Sequence, residues 1–225
     1  MIRSSLLAAA FLASSALQSA PSAAERSEAN SQLTPVPSRA PRERDRPQAR
    51  DTCQRRADLP SIHGRGGNDR IYAGGSAYRM FGDEDRDFLL GSREDDEING
   101  GDDGDLLIGA GGADLFVFDT EFASLPGREG LWSPETGDTI VDFQDEERDR
   151  IDLSGMRKYG AGAPATLRWS GVTPRPYSVW TLARDGDTVV AMDLDGDSEA
   201  DAAIRLIGGV SLSETRFCGV QAGKF

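Results

Sequence analysis

The sequence predicts an all-β chain, with short strands stacked in its middle and further strands running on to the C-terminus. Three observations carry that prediction. Between Gly64 and Val117 the chain repeats every nine residues, and a fixed internal period is the signature of an architecture built by stacking. Each repeat holds one dependable bulky apolar place, too sparse for an amphipathic helix, which needs apolar residues every three or four. Downstream, short apolar stretches alternate with turn signals and none has a helical period.

The six units read GRGGNDRIY, AGGSAYRMF, GDEDRDFLL, GSREDDEIN, GGDDGDLLI and GAGGADLFV. Their eighth place is always apolar: Ile71, Met80, Leu89, Ile98, Leu107 and Phe116. The sixth place is Asp69, Asp87, Asp96, Asp105 or Asp114, with Tyr78 in the second unit. Gly64, Gly82, Gly91, Gly100 and Gly109 open five units, and Ala73 opens the other. The Gly-rich half is expected to turn through conformations that a Cβ disfavours. The other residues then form a short strand whose central apolar side chain points inward. The in-phase apolar places argue against a disordered acidic tract.

This stretch resembles the RTX, or haemolysin-type, calcium-binding repeat G-G-x-G-x-D-x-U-x. The resemblance implies a parallel β-roll in which one coil uses two nonapeptides and calcium lies between units n and n+2. Carried over residue by residue, it pairs Asp69 with Asp87, Asp87 with Asp105, and Asp96 with Asp114; Tyr78 leaves Asp96 without a carboxylate partner on its other side. Calcium takes about six to eight hard oxygens, so turn carbonyls at Gly64, Gly82, Gly91, Gly100 and Gly109 join the expected ligand set. The sequence departs from the pattern at the fourth place, where Gly stands only at Gly67 and Gly112. Ser76, Asp85, Glu94 and Asp103 replace it, and the acidic three either add ligands or strain the turn. Asp85 and Asp103 therefore enter the candidate metal set.

Upstream, residues 1–24 read as a secretory signal peptide: Arg3, the apolar run Leu6 to Leu17, then small residues ending at Ala24. The run is shorter than the roughly 20 residues a membrane span requires, and no later stretch is apolar enough to cross. Residues 25–57 carry Pro, Ser and Arg but few large apolar residues, so they read as a disordered linker. Up to His63 there are nine arginines and six acidic residues, whereas the whole chain has a net charge of −13. The folded part is therefore strongly acidic. Acidic residues interleave the arginines, which favours a solvated linker over a nucleic-acid contact. Residues 58–117 form the expected roll, with Arg55 to His63 as a degenerate end cap because Ile62 sits nine residues before Ile71. His63, the single His, reads as a cap residue rather than a metal ligand or general base.

Residues 118–225 form the expected C-terminal module. Strands are predicted at Asp138 to Phe143, Arg150 to Leu153, Thr166 to Trp169, Ser178 to Ala183, Thr188 to Leu194 and Ala202 to Leu206, with Asp185-Gly186 as a hairpin turn. The pieces FVFD, DTIVDFQDEERDRIDLSG, DGDTVVAMDLDGDSEADAAIRLIGGVSL and RF resemble the module that follows the repeats in serralysin-type metallopeptidases. The resemblance implies a calcium-binding parallel β-roll running into a compact β-sandwich-like C-terminal cap and not proteolysis, since the peptidase half is missing. Within this module Asp193, Asp195, Asp197 and Asp201 form D-x-D-G-D-x-x-x-D, the first part of an EF-hand-like loop. Ile204 stands where a bidentate Glu would close it, so a weak metal loop and a solvated acidic turn are both consistent with the pattern.

Enzyme chemistry finds little support. One His cannot supply H-E-x-x-H, and no G-x-S-x-G elbow is present. The expected function is calcium binding by a secreted or periplasmic, non-catalytic module that folds on calcium. The alternatives are a surface adhesion or matrix component, with an envelope protein or extracellular polysaccharide as partner, and an accessory module of a secreted hydrolase. Export predicts an oxidised pair between Cys53 and Cys218, the only cysteines. Because the ends of a solenoid lie far apart, that bridge calls for the C-terminal cap to fold back along the roll.

Overall fold

In a computed structural model, residues 55–119 and 137–223 are described. The roll runs through β1 (Ser61–Gly66), β2 (Arg70–Tyr72), β3 (Arg79–Glu84), β4 (Phe88–Leu90), β5 (Glu97–Gly101), β6 (Leu106–Ile108), β7 (Leu115–Val117), β8 (Thr139–Ile140) and β9 (Arg150–Asp152). After it come β10 (Leu167–Trp169), β11 (Ser178–Arg184), β12 (Asp187–Met192), β13 (Ala202–Leu206), β14 (Phe217–Cys218) and β15 (Val220–Gln221). The one regular helical element among the described residues is a 3-10 turn at Glu214–Arg216. No described helix is long and apolar enough to cross a membrane.

Two sheets face each other across the core. The first has the order β1-β3-β5-β7-β9-β14 and its pairings are parallel. The second has the order β15-β10-β11-β12-β13-β8-β6-β4-β2. The chain thus alternates between sheets, two nonapeptides to a coil, and register partners from β1 to β7 stand 18 residues apart. Ile62, Met80, Ile98 and Phe116 stack in one column, continued by Ile151 and Phe217. Ile71, Leu89 and Leu107 stack in the other, continued by Ile140 and Leu206. The eighth places from Met80 to Phe116 are fully buried. At about 1.5–3 kcal/mol per large side chain removed from water, these columns are the main apolar cohesion of the coils.

The cap is a continuation of both sheets, with β14 added to the first and β13 added parallel to β8 in the second. The β11–β12 hairpin closes through Asp185 and Gly186, both at positive φ (55° and 90°), the left-handed pair that a two-residue turn demands. The predicted strand over Asp138 to Phe143 shrinks to Thr139–Ile140. The cause is Asp142, whose carboxylate turns to accept the N–H groups of Gly109 (2.9 Å) and Ala110 (2.8 Å).

The expected end cap also resolves differently. Ser61–Gly66 is a complete rung, with Ile62 in register with Met80. Residues 55–60 lie against the outer face of the first sheet, where Arg55 meets Asp152 of β9 at 3.3 Å and the Arg56 N–H donates to Glu97 of β5 at 2.9 Å. The reach along the stack is therefore made by the segment entering β1, and not by a C-terminal fold-back. Asp152 is the register partner of Cys218, which is buried and is not a free thiol. Cys53, and with it the expected bridge, lies outside the described residues, as do the leader and most of the linker.

Candidate metal centre

Each coil turns twice, once at either edge of the roll, and the sixth-place residues sort onto those edges. One edge carries Asp69, Asp87 and Asp105; the other carries Tyr78, Asp96 and Asp114. On both, one carboxylate oxygen accepts the backbone N–H of the residue 18 places earlier. Asp87 Oδ1 takes the N–H of Asp69 and Asp105 Oδ1 that of Asp87, both at 2.7 Å. Asp96 Oδ1 takes the N–H of Tyr78 at 2.6 Å, and Asp114 Oδ1 that of Asp96 at 2.8 Å. The structure so brings together the pairs that the n and n+2 rule named.

Both ladders run one step further than the ninefold period. Asp105 donates its N–H to Asp138 (2.8 Å), and Asp114 donates to Asp149 (3.0 Å). These two carboxylates escaped the sequence reading because they fall 33 and 35 residues after their partners instead of 18. A signal was present: Asp138-Thr139-Ile140 and Asp149-Arg150-Ile151 keep the repeat's Asp-x-apolar spacing.

The opening glycines serve the carboxylates. A Cβ on Gly64 would sit 2.8 Å from Asp69 Oδ2, and one on Gly91 would sit 2.9 Å from Asp96 Oδ2. At Gly82, Gly100 and Gly109 the collision with the Oδ2 of Asp87, Asp105 and Asp114 is tighter still. The opening Gly is thus the space in which its own unit's Asp folds. Two of the four departures at the fourth place strain the turn: Asp85 and Asp103 hold φ of 72° and 70°, a region that side chains disfavour. Both side chains are exposed, and Asp85 also accepts the Gly67 N–H at 3.0 Å.

Calcium fits this arrangement on one observation in particular. The Oδ2 atoms of Asp87 and Asp105 are buried and accept no hydrogen bond. A buried carboxylate oxygen without a donor is costly, and a hard cation is the partner that two such oxygens on one edge suit. The electrostatics agree. Burial, with the charges of Asp87 and Asp103, pushes the Asp105 carboxyl up to about 7. Burial, with Asp149, Asp96 and Asp142 nearby, pushes Asp114 up to about 9, and burial with Asp142 and Glu147 pushes Asp149 up to about 6. Burial also raises Asp87 and Asp96 above the ordinary carboxylate value. The roll has gathered acids that resist being charged together.

The C-terminal acidic loop is built otherwise. Carboxylate oxygens of Asp193, Asp195 and Asp197 lie within 4.8 Å of one another. Yet Asp193 is already occupied by the N–H groups of Asp195 (3.1 Å), Gly196 and Ser198 (2.6 Å). Asp201 stands outside that group and orders the loop by accepting from Leu194 (2.6 Å) and Asp195 (3.1 Å). His63 lies away from both ladders, stacked on Phe81 with ring centroids 4.5 Å apart and with Nδ1 3.2 Å from Asp83.

The chain matches two family profiles. The peptidase M10 serralysin C-terminal family covers residues 95–217, more than half the chain. The RTX calcium-binding nonapeptide repeat covers residues 61–77. Among solved structures, the AlgE6R3 subunit from the Azotobacter vinelandii mannuronan C5-epimerase is 25% identical, with a TM-score of 0.49, over 69% of this chain and 80% of that one. The AlgE6R2 subunit of the same enzyme is 18% identical, with a TM-score of 0.45, over 71% of this chain and 91% of that one. No curated protein matches.

Proposed function

The chain belongs to the peptidase M10 serralysin C-terminal family and carries RTX calcium-binding repeats; from that premise we propose that it is an exported, non-catalytic module whose roll folds as calcium fills the aspartate ladders. The observation that supports this most is the pair of buried, unaccepting oxygens at Asp87 and Asp105. Asp87 and Asp105 fix the coil spacing through Oδ1 and keep Oδ2 for the ion, with Asp69 and Asp138 at the ends of the same edge. Asp96, Asp114 and Asp149 fix the spacing of the other edge in the same way, although Asp96 and Asp149 share their second oxygen with turn amides, and Asp85, Asp103 and the carbonyls of Gly64, Gly82, Gly91, Gly100 and Gly109 are the nearby oxygens that complete a shell. Asp193, Asp195 and Asp197 form a separate, weaker site. Calcium, when bound, supplies the positive charge that lets these carboxylates ionise side by side.

Binding of this kind is folding free energy, since a cation that binds only the coiled state stabilises it by mass action. The apparent leader through Ala24 and the pair Cys53 and Cys218 support export to an oxidising compartment. The test is a calcium titration of the full chain, dialysed against EGTA, followed by far-UV circular dichroism. β signal is expected to rise on calcium addition; a spectrum indifferent to calcium overturns the reading.

A further inference from the structure

The segment entering β1 makes contacts that owe nothing to the ladders. The Arg55 guanidinium spans two carboxylates, with Nη1 3.0 Å from Asp119 Oδ2 and Nε 3.3 Å from Asp152 Oδ2. Asp152 is 1% exposed, and Asp119 is itself tied to β5 by the Asn99 side chain at 3.1 Å. Next along, the Arg56 N–H donates to Glu97 Oε2 at 2.9 Å, while the Arg56 guanidinium donates to the Asp95 carbonyl at 3.4 Å. Glu97, also 1% exposed, holds Arg79 of β3 through its other oxygen at 3.3 Å. Finally the Pro60 carbonyl accepts the Arg79 N–H at 2.9 Å. Six residues therefore touch β3, β5, β9 and the end of β7, four successive rungs of one sheet. Burial works against the Arg55 charge, but the hydrogen bond to Asp119 and the charges of Asp152, Asp119 and Glu97 outweigh it and hold the guanidinium above its ordinary value.

These rungs are the ones whose edges crowd like charges when calcium is absent. A fastening across the face of the sheet opposes that repulsion without using a ladder oxygen. We propose that residues 55–60 are a metal-independent latch, which holds the coils in register before the ion arrives and so lowers the calcium concentration at which the roll forms. The inference rests on the calcium reading above and adds its regulation: the threshold is set by an arginine strap as well as by the ligands.

Charge and latch predict opposite signs, which makes the test decisive. Arg55→Gln removes a cation from a chain of net charge −13, and by general electrostatics that strengthens calcium binding and lowers the midpoint. Loss of the latch raises it. In the full chain, the circular dichroism midpoint in calcium is expected to rise about threefold to tenfold, the range set by losing one half-exposed hydrogen bond of ordinary net strength. Arg55→Gln strands the buried Asp152 charge, so Arg55→Gln/Asp152→Asn is made beside it. The double variant should reach the parent's signal at saturating calcium and keep the raised midpoint. A midpoint unchanged or lowered in the double variant, with a calcium-dependent parent, overturns the latch. A calcium-indifferent parent overturns the proposed function instead. In that case amide hydrogen exchange in EGTA decides the latch alone: protection of β5, β7 and β9 should fall in the variants, and equal protection refutes it.

Discussion

The two edges of the roll are built from the same repeat yet differ in what they leave unfinished. Along the edge of Asp69, Asp87, Asp105 and Asp138, the buried Oδ2 atoms of Asp87 and Asp105 accept nothing. Along the edge of Asp96, Asp114 and Asp149, turn amides take up the second oxygen: Ser92 donates to Asp96 Oδ2 at 2.6 Å, and Gln144 donates to Asp149 Oδ2 at 2.8 Å. The second edge has partly satisfied itself with protein and the first has not. Repeat position alone therefore does not fix a site's need for a cation; the amides of the local turn decide it.

The largest effect should come from cutting the unfinished edge. Asp105→Ala removes the acceptor of the buried Asp87 N–H, at about 1–3 kcal/mol, and also one of the two free oxygens. Asp96→Ala costs a comparable backbone term, through the N–H groups of Tyr78 and Ser92. Calorimetry at neutral pH should find more bound calcium lost in Asp105→Ala than in Asp96→Ala. Equal losses would erase the distinction between the edges.

How much of this could be read from the chain follows from what repeats. The inward columns were legible because residues 64–117 keep phase without an insertion, and the coil of two nonapeptides with its pairs Asp87–Asp105 and Asp96–Asp114 came through the resemblance to the RTX repeat. Asp138 and Asp149 were not, because longer connections throw them out of phase while only the Asp-x-apolar triplet survives. The strap was illegible for another reason. Arg55 and Arg56 sit in a stretch whose composition reads as linker, and their partners are remote: Asp152 lies 97 residues from Arg55, and Glu97 lies 41 from Arg56. Nothing local marks an arginine whose carboxylates come from other rungs. The opening glycines were assigned to turning, whereas their positions show close approach of Asp to backbone as the stronger demand.

A pH titration sharpens the comparison at intermediate size. Asp149 (about 6), Asp105 (about 7) and Asp114 (about 9) are all raised in the folded state. Each therefore stabilises the metal-free roll fully below its unfolded value, about 4, and loses that contribution as pH rises through its folded value. In EGTA, raising pH from about 5 to about 9 should lower the thermal midpoint, with the contributions lost in the order Asp149, Asp105, Asp114. In calcium the sign should invert, because bound ligands must be deprotonated. A metal-free protein that gains stability over that interval would contradict the crowding of acids at both edges.

The smallest effect belongs to the end of a ladder. Asp69 gives its N–H to Asp87, but among the described residues no backbone N–H donates to its own carboxylate. It is half-buried where Asp87 is 4% exposed. Asp69→Asn keeps the size and removes the charge, so only a terminal, solvent-screened contribution is lost. In calcium the cost should stay within about 0.5 kcal/mol, as for most partly exposed substitutions. Asp87→Asn lies between two rungs and removes a charge from an oxygen pair that Asp69 and Asp105 both depend on, so its cost should be larger and should fall mainly in calcium. Thermal melts of both variants in calcium and in EGTA give four numbers to compare. If Asp69→Asn costs as much as Asp87→Asn, the first coil is not an end, and a further carboxylate partner must stack on Asp69.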